Sequence, residues 1–178
     1  MELDKKSLRY LKDTCKKKDQ SLENPSRDDL DGVKITNDRI SEIDITYDSN
    51  SEGMIPRTIG DPCGFEFLTK LVIRDNYNLR GTIPAWVGYL KNLEYLDLSH
   101  NNLEGHIPNS FNNLTNLKHI SLNCNNLIGD IDTIPLSKCR KLTVINLYGN
   151  KFWRTPEAIE ELNKKLACKA NLGWDKVN

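Results

Sequence analysis

The chain has 178 residues, with 25 basic and 25 acidic side chains and a formal net charge of zero. This length is typical of one domain, and the charge balance argues against a nucleic-acid partner attracted by bulk charge. The mean hydropathy is −0.58, and no apolar run approaches the roughly 20 residues that a membrane-spanning helix needs.

The chain begins with Met-Glu-Leu-Asp-Lys-Lys-Ser, which lacks the apolar core of a signal peptide. We therefore expect a cytoplasmic protein without a membrane span. If a leader was removed before Met1, the protein would instead be secreted.

The first predicted strand covers Ile40–Ile45, where apolar and polar residues alternate near the end of the segment. It is followed by Gly53-Met-Ile-Pro56, a turn sequence that returns later in the chain. The next similar strand begins at Leu68, 28 residues after Ile40. This first unit therefore contains an insertion, which we place around Asp61–Gly64.

Four complete copies of the pattern Leu-x-x-Leu-x-Leu-x-x-Asn follow. Ile can replace Leu in this pattern. The copies are Leu68–Asn76, Leu93–Asn101, Leu117–Asn125 and Leu142–Asn150, and their asparagines are 25, 24 and 25 residues apart. A step of this length with this internal spacing is the signature of a leucine-rich repeat. With the incomplete first copy, we predict an α/β solenoid of about five coils.

Each copy predicts a short strand with one buried face, followed by a bend. In the second copy, Leu96 and Leu98 alternate with polar residues, which is the period of a strand. Asn101 lies where the chain leaves this strand. We expect its amide to bond backbone groups of its own coil and of the neighbouring coil, because buried polar groups need internal partners. The asparagines should therefore form a structural ladder.

A second turn follows the ladder position in each coil. Gly81-Thr-Ile-Pro84 and Gly105-His-Ile-Pro108 combine a residue that permits a tight bend with one that fixes φ. The first of these coils has one extra residue, since Leu79 comes three residues after its asparagine. An apolar pair then precedes the next Leu by six and three residues, which predicts a helical or 3₁₀ turn. These pairs are Val87 and Leu90, Phe111 and Leu114, and Leu136 and Cys139.

The end of the chain predicts a helical cap. The last coil has Phe152-Trp153 in place of Gly-x-Ile-Pro. Thr155 and Pro156 are suited to the N-cap and N1 positions of a helix. Apolar residues at a spacing of three and four then predict a helix that covers the last coil; these are Ile159, Leu162 and Leu166.

The full consensus, Leu-x-x-Leu-x-Leu-x-x-Asn-x-Leu-x-Gly-x-Ile-Pro, resembles the plant-specific class of leucine-rich repeats over residues 30–156. That class is found in receptor-kinase ectodomains and in polygalacturonase-inhibiting proteins. The resemblance implies a right-handed solenoid with a parallel β-sheet on its concave face, short second strands near Gly-x-Ile-Pro, and helical caps at both ends. We divide the single domain, residues 1–178, into an N-terminal cap (1–39), repeats (40–154) and a C-terminal cap (155–178).

The N-terminal cap keeps the frame of this class but has lost its disulfide. Where the class has Trp-x-Gly-Val-x-Cys, this chain reads Leu30-Asp-Gly-Val-Lys-Ile35. Upstream, Leu3, Leu8 and Leu11 resemble the cap helix. The five cysteines are an odd number without paired spacing, at positions 15, 63, 124, 139 and 168. Both observations favour a reducing compartment, in agreement with the expected cytoplasmic localisation.

The sequence contains no recognisable catalytic constellation. Gly-x-Ser-x-Gly, phosphate-loop, His-Glu-x-x-His and zinc-type cysteine patterns are all absent. His100 and Cys124 hold equivalent positions in adjacent coils, but two ligands do not make a metal site. We therefore expect a protein that is not an enzyme and that binds no metal or cofactor.

Residues that flank the buried Leu-x-Leu positions should point to the outer face of the sheet, because side chains alternate along a strand. Stacked strands lie about 5 Å apart, so equivalent residues form continuous columns. Arginine and aromatic residues, which are enriched at interface hot spots, occur among them. The three columns are Glu42, Lys70, Tyr95, His119 and Val144; Asp44, Val72, Asp97, Ser121 and Asn146; and Thr46, Arg74, Ser99, Asn123 and Tyr148.

We predict a monomeric protein–protein interaction module that binds another protein on this concave face. The predicted contact residues are Lys70, Arg74, Tyr95, Asp97, Ser99, His119, Ser121, Asn123, Asn146 and Tyr148. One alternative is a secreted inhibitor or immune-type recognition protein that acts on a foreign enzyme, because the late Leu79 resembles an early repeat of the inhibitors. An ice- or polysaccharide-binding surface would need a regular stripe of Thr or Asn, which the columns lack.

Overall fold

The computed structural model describes residues 33–36, 39–46, 54–55 and 65–166. These ranges contain ten β-strands, three 3₁₀ helices and one α-helix. The strands are β1 Val33–Thr36, β2 Arg39–Thr46, β3 Lys70–Arg74, β4 Asn76–Thr82, β5 Tyr95–Asp97, β6 Asn101–Gly105, β7 His119–Ser121, β8 Asn126–Asp130, β9 Val144–Asn146 and β10 Lys151–Trp153. The helices are η1 Ala85–Tyr89, η2 Asn109–Asn113, η3 Ile131–Thr133 and α1 Pro156–Lys165.

Six of these strands form the long sheet, in the order β1-β2-β3-β5-β7-β9. β1 and β2 pair antiparallel, and every later pair is parallel. The pairing places Lys70 beside Tyr95, Tyr95 beside His119, and His119 beside Val144. The predicted register is therefore confirmed, because each neighbouring pair holds the same position in consecutive repeats.

The second strands of the coils form a separate short sheet, which is parallel and has the order β10-β8-β6-β4. It lies where the family resemblance implied short strands. Its register shifts between Asn76 and Arg80, where the coil has its extra residue. Gly129 is needed in β8, because its φ is 123° and an added Cβ would lie 2.8 Å from His106 Nδ1.

The apolar repeat positions form one continuous core. Leu93, Leu96 and Leu98 are fully buried, as their spacing predicted. η1 and η2 begin directly after Pro84 and Pro108, the prolines of the two Gly-x-Ile-Pro turns. The structure thus has the predicted α/β solenoid architecture, in which each of the four coils that begin at β3, β5, β7 and β9 contributes one strand to each sheet.

The fourth coil departs from the predicted position of its helical turn. Leu136 and Cys139 are buried, as expected, but they lie in a turn after the helix. The 3₁₀ helix of this coil is η3, which begins at Ile131. Asp132 stands here in the position that proline holds in the two preceding coils and lies inside η3, whereas Pro84 and Pro108 are the extended residues that precede η1 and η2.

The asparagine ladder forms as predicted. Asn101 Nδ2 donates to the carbonyl oxygens of Ile73 and Leu98, both at 2.8 Å, and its Oδ1 accepts from the Asn76 backbone N at 3.0 Å. Asn125 and Asn150 donate to equivalent carbonyls in the next two coils, but their Oδ1 atoms accept from the backbone N of Leu103 and Leu127, two residues after the preceding ladder position. The amides of Asn101, Asn125 and Asn150 therefore each join their own coil to the preceding one.

The residue before each ladder asparagine has a left-handed backbone. The φ angles are 63° at Asp75, 55° at His100, 56° at Cys124 and 70° at Gly149. Only glycine adopts this conformation without steric cost. The equivalence of His100 and Cys124 therefore comes from a backbone bend that all four coils share.

The C-terminal helix α1 begins as predicted. Thr155 Oγ1 accepts a hydrogen bond from the Ala158 backbone N at 3.1 Å, and Pro156 is the first helical residue. Leu162 and Leu166 are buried, and α1 packs against η3. In the part of the chain that the structure describes, no helix is long and apolar enough to cross a membrane.

Part of the predicted N-terminal cap can be located. β1 contains the last residues of the cap frame, and it pairs with the first strand of the solenoid. The predicted cap helix at Leu3–Leu11 and the insertion around Asp61–Gly64 lie outside the described residues. The division of the chain into caps and repeats stays a prediction.

Candidate functional site

The outer face of the long sheet forms a groove that crosses the strands. Its middle column is the most buried, since Val72, Asp97 and Ser121 are 3%, 6% and 6% exposed. Their neighbours in the two outer columns are mostly half-buried or exposed. We call this the sheet groove. Its floor is Val72, Asp97 and Ser121; its walls are Lys70, Tyr95 and His119 on one side, and Arg74, Asn123 and Tyr148 on the other.

Asp97, Ser99 and Ser121 are the most buried of the predicted contact residues. All three lie on the predicted face, but they are only 5–6% exposed. Alternation along a strand determines the face of a side chain, whereas its exposure depends on the size of its neighbours. Here the short side chains lie beside the large rings of Tyr95 and His119.

The first wall is a row of stacked side chains from consecutive coils. The rings of Tyr95 and His119 have centroids 4.2 Å apart and an interplanar angle of 11°. Lys70 Nζ lies 5.8 Å from the centroid of the Tyr95 ring and 2.9 Å from Asp44 Oδ2. Stacking and cation–π contacts thus fix this wall before any partner arrives.

The second wall is more open. The Arg74 side chain is 50% exposed, and its Nε lies 3.7 Å from Asp75 Oδ2. Asn123 Nδ2 lies 3.2 Å from His100 Nε2, which links two adjacent coils. Tyr148 is 58% exposed at the C-terminal end. This wall therefore presents one arginine, one amide and one phenol.

The floor side chains are held by residues two positions further along the chain. Asp97 Oδ1 accepts from Ser99 backbone N at 2.9 Å and from Ser99 Oγ at 2.6 Å. Ser121 Oγ donates to Asn123 Oδ1 at 2.6 Å. Asn146, the equivalent residue of β9, accepts a longer bond of 3.4 Å from a backbone N–H. The orientation of the polar floor groups is therefore set locally.

Packing at the first wall shifts three pKa values. The hydrogen bond to Asp44 raises the pKa of Lys70 above its ordinary value. Burial raises the pKa of Tyr95, and the negative charge of Asp97 acts in the same direction. Burial lowers the pKa of His119, an effect that Asp97 partly offsets. At neutral pH the wall consists of a charged lysine, a neutral phenol and a neutral imidazole.

The described residues contain no group of three or more His, Cys, Asp or Glu side chains that could hold a metal ion. Cys124 and Cys139 are free thiols. Burial raises the pKa of Cys139 to about 11, so this thiol is protonated at neutral pH and is a poor nucleophile. In the groove, the Ser121 hydroxyl donates to Asn123. The polar groups of the sheet groove are therefore suited to non-covalent contact with a partner.

The sequence did not predict a pocket of about 370 Å³ that lies at the short sheet. Ile107, Ile134 and Phe152 contribute apolar surface to its lining, and His106 and Asp130 contribute polar groups. The altered turn at η3 lines one side. The only feature of the sequence that could have indicated this altered turn, and with it the pocket, was Asp132 in place of proline. The pocket contains none of the predicted contact residues, and the groove remains the candidate site.

Sequence profiles of a known family match the region that contains the groove. A profile described as "Leucine rich repeat" matches residues 67–127, and one described as "Leucine Rich repeats (2 copies)" matches residues 115–164. Together they cover more than half of the chain. The chain belongs to the leucine-rich repeat family. No curated protein sequence matches this leucine-rich-repeat protein significantly.

Solved structures of plant proteins share the fold. The ectodomain of the receptor kinase SOBIR1 from Arabidopsis thaliana is 25% identical with a TM-score of 0.70, over 93% of this chain and 89% of that one. A plant ice-binding protein is 26% identical with a TM-score of 0.63, over 85% and 57% of the two chains. The plant peptide hormone receptor RGFR1, in complex with RGF2, is 32% identical with a TM-score of 0.56, over 71% and 20%.

These similarities confirm the plant-specific type of repeat. This leucine-rich-repeat chain spans 57% of the ice-binding protein and 20% of the hormone receptor. The SOBIR1 structure is an ectodomain, the part of a receptor that lies outside the cell. The comparisons therefore do not support the cytoplasmic localisation that the cysteines had favoured.

Proposed function

We propose that this leucine-rich-repeat protein is a non-enzymatic interaction module that binds an extended segment of another protein in the sheet groove. The groove crosses the strands, so one segment could contact several coils at once. The proposed contact residues are Lys70, Arg74, Tyr95, His119, Asn123, Asn146 and Tyr148, together with Asp97 and Ser121 on the floor and Ser99 beside them.

The stacked wall is the observation that carries this proposal. Lys70, Tyr95 and His119 come from three successive strands, and each contacts the next. Side chains that are already ordered lose little conformational freedom when a partner binds. A wall that is rigid in the free protein can therefore contribute binding free energy with a small entropic cost.

Similar proteins support the choice of a peptide or protein as the partner. The structure of RGFR1 is a complex of a plant peptide hormone receptor with RGF2. This chain is 32% identical to that receptor over 71% of its own length. A repeat solenoid supplies the same kind of extended surface to unrelated partners, so the similarity suggests a class of partner without its identity.

We also propose that the protein acts outside the cytoplasm, which was the alternative to the expected localisation. The similarity to the SOBIR1 ectodomain supports this compartment. An inhibitor of a foreign enzyme would be one form of the proposed module. Thiol counting on the native protein tests the compartment: a disulfide would support it, and five free thiols would contradict it.

An ice-binding role is the weaker candidate. It is favoured by the structural similarity to a plant ice-binding protein. However, such a surface needs a regular stripe of like residues, and the first wall of the groove contains lysine, tyrosine and histidine in succession. We expect no thermal hysteresis from the purified protein.

Affinity purification with immobilised variants tests the proposed function. Extract from the source organism is passed over wild-type protein, Tyr95→Ala and Arg74→Ala, and the retained proteins are identified by mass spectrometry. Truncation of an interface hot spot costs at least about 1 kcal/mol. We therefore expect each variant to retain its specific partner roughly fivefold less than wild type.

Matched controls come from exposed residues outside the groove. Tyr77 is 66% exposed on β4 of the short sheet, and Arg140 is exposed in the turn before β9. Tyr77→Ala and Arg140→Ala should retain the same partners as wild type. The proposal is wrong if the groove variants and the controls behave alike.

A further inference from the structure

The floor of the sheet groove contains a buried carboxylate with one unused oxygen. Asp97 is 6% exposed, and its Oδ1 accepts both hydrogen bonds from Ser99. Within the described residues, Oδ2 accepts no hydrogen bond and Asp97 forms no ion pair. Because both bonds to Ser99 use Oδ1, Oδ2 keeps its capacity to accept a hydrogen bond.

The cationic side chains of the walls are engaged by other carboxylates. Lys70 Nζ lies 2.9 Å from Asp44 Oδ2, and Arg74 Nε lies 3.7 Å from Asp75 Oδ2. The histidine of the wall is neutral at pH 7, because burial lowers its pKa. A carboxylate that is buried without a cation carries a desolvation cost. A cation from a partner would offset this cost.

The adjacent floor position provides a second acceptor. Ser121 pairs with Asp97 across neighbouring strands, which lie about 5 Å apart. Its hydroxyl hydrogen is used in the bond to Asn123, so its oxygen can only accept a bond from a ligand. The third floor residue, Val72, has an apolar side chain. The polar part of the floor is therefore suited to a group with several N–H donors.

We propose that the sheet groove selects a partner segment with a basic side chain, arginine or lysine, which pairs with Asp97 on the floor. The charged group would donate to Asp97 Oδ2 and to Ser121 Oγ, while its aliphatic part lies along the rings of Tyr95 and His119. This inference rests on the proposed function and specifies the chemistry of the partner at that same site.

Short peptides with matched charge test this selection. Acetyl-Gly-Gly-Arg-Gly-Gly-amide is compared with the same peptide carrying citrulline, which is similar in shape but neutral. Each is titrated into ¹⁵N-labelled full-length protein up to about 1 mM, a range in which weak binding is measurable by NMR. We expect the arginine peptide to shift the amides of residues 95–99 and 119–123, with at least tenfold higher affinity than the citrulline peptide.

A single-atom change in the protein should remove this preference. Asp97→Asn keeps an oxygen that can accept from Ser99 but removes the charge, so the arginine and citrulline peptides should bind equally. Asp130→Asn is the matched control, since Asp130 is an exposed carboxylate on β8 of the short sheet, outside the groove. The control should keep the preference. If Asp97→Asn does not fold, Ser121→Lys provides the check, because its own cation would occupy the site and abolish binding of the arginine peptide.

Three results would overturn the inference: equal affinity of wild type for both peptides, no binding of the arginine peptide, or an unchanged preference in Asp97→Asn. None of these results depends on the affinity purification. A groove that loses its natural partner in Tyr95→Ala but shows no charge preference would support the proposed function and contradict the selection of a basic side chain.

Discussion

The asparagine ladder and the sheet groove are both built from polar side chains of the same coils, but they use their hydrogen bonds differently. In the ladder, Asn125 bonds the backbone groups of Leu98, Leu103 and Leu122 in two coils. In the groove, Asp97 bonds only its neighbour two residues away and keeps one oxygen unused. The fold uses the hydrogen-bonding capacity of the repeated residue, Asn125, on both its amide N and its amide O. The variable residue, Asp97, keeps one carboxylate oxygen that can accept a hydrogen bond from a ligand.

Substitution of a core residue and of a wall residue in the same repeat should give the largest difference in stability. Leu98→Ala removes a fully buried side chain next to β5 and should lower the free energy of unfolding by about 2–5 kcal/mol, because it leaves a cavity. Tyr95→Ala should cost only about 0.5–1.5 kcal/mol through lost stacking. Urea denaturation followed by circular dichroism measures both, and equal losses would contradict the register.

Neighbouring asparagines of one coil should also differ. Asn125→Ala removes the partners of buried backbone groups in two coils, so we expect a loss of about 2–4 kcal/mol. Asn123→Ala removes half-buried side-chain contacts in the groove and should cost less than about 1 kcal/mol. The same urea experiment compares the two variants. A larger loss of unfolding free energy for Asn123→Ala would contradict the assignment of Asn125 to the structural ladder and of Asn123 to the groove.

The smallest expected effect is a dependence of stability on pH from the groove wall. Burial lowers the pKa of His119 in the folded state, so the unfolded chain binds more protons as the pH falls through about 6.5. The free energy of unfolding should therefore decrease below that pH and level off below the folded pKa. His119→Phe keeps the stacking but cannot titrate. On acidification from pH 7.5 through 6.5 to 5.5, the urea midpoint of wild type should fall further than that of His119→Phe; parallel curves would exclude a contribution from His119.

The spacing of the repeats was sufficient to predict the strands, the ladder and the alignment of the columns. Leu96, Leu98 and Asn101 recur at a step set by the length of a coil, so their positions are encoded in the sequence itself. The stack of Tyr95 on His119 could have been anticipated from their shared column and their separation of 24 residues.

The depth of the groove could not be predicted in the same way. The burial of Asp97, Ser99 and Ser121 depends on the size and rotamers of side chains from neighbouring coils, which no period in the sequence describes. The displaced helix η3 was missed because Leu136 and Cys139 kept their apolar spacing. The burial of Leu136 and Cys139 was predicted correctly. The position of the helix was not, because it depends on the residue that replaces proline, Asp132.

The ladder bonds also give the solenoid a direction. Each rung reaches back to the coil before it: Asn101 to the coil of Ile73, and Asn150 to the carbonyl of Leu122. Loss of a coil from the C-terminal end would leave the remaining rungs bonded, whereas loss from the N-terminal end would orphan the next one. Asn76, the first of the four, has a buried Oδ1 without a partner among the described residues. Removal of a coil from the N-terminal end and removal from the C-terminal end are therefore not equivalent.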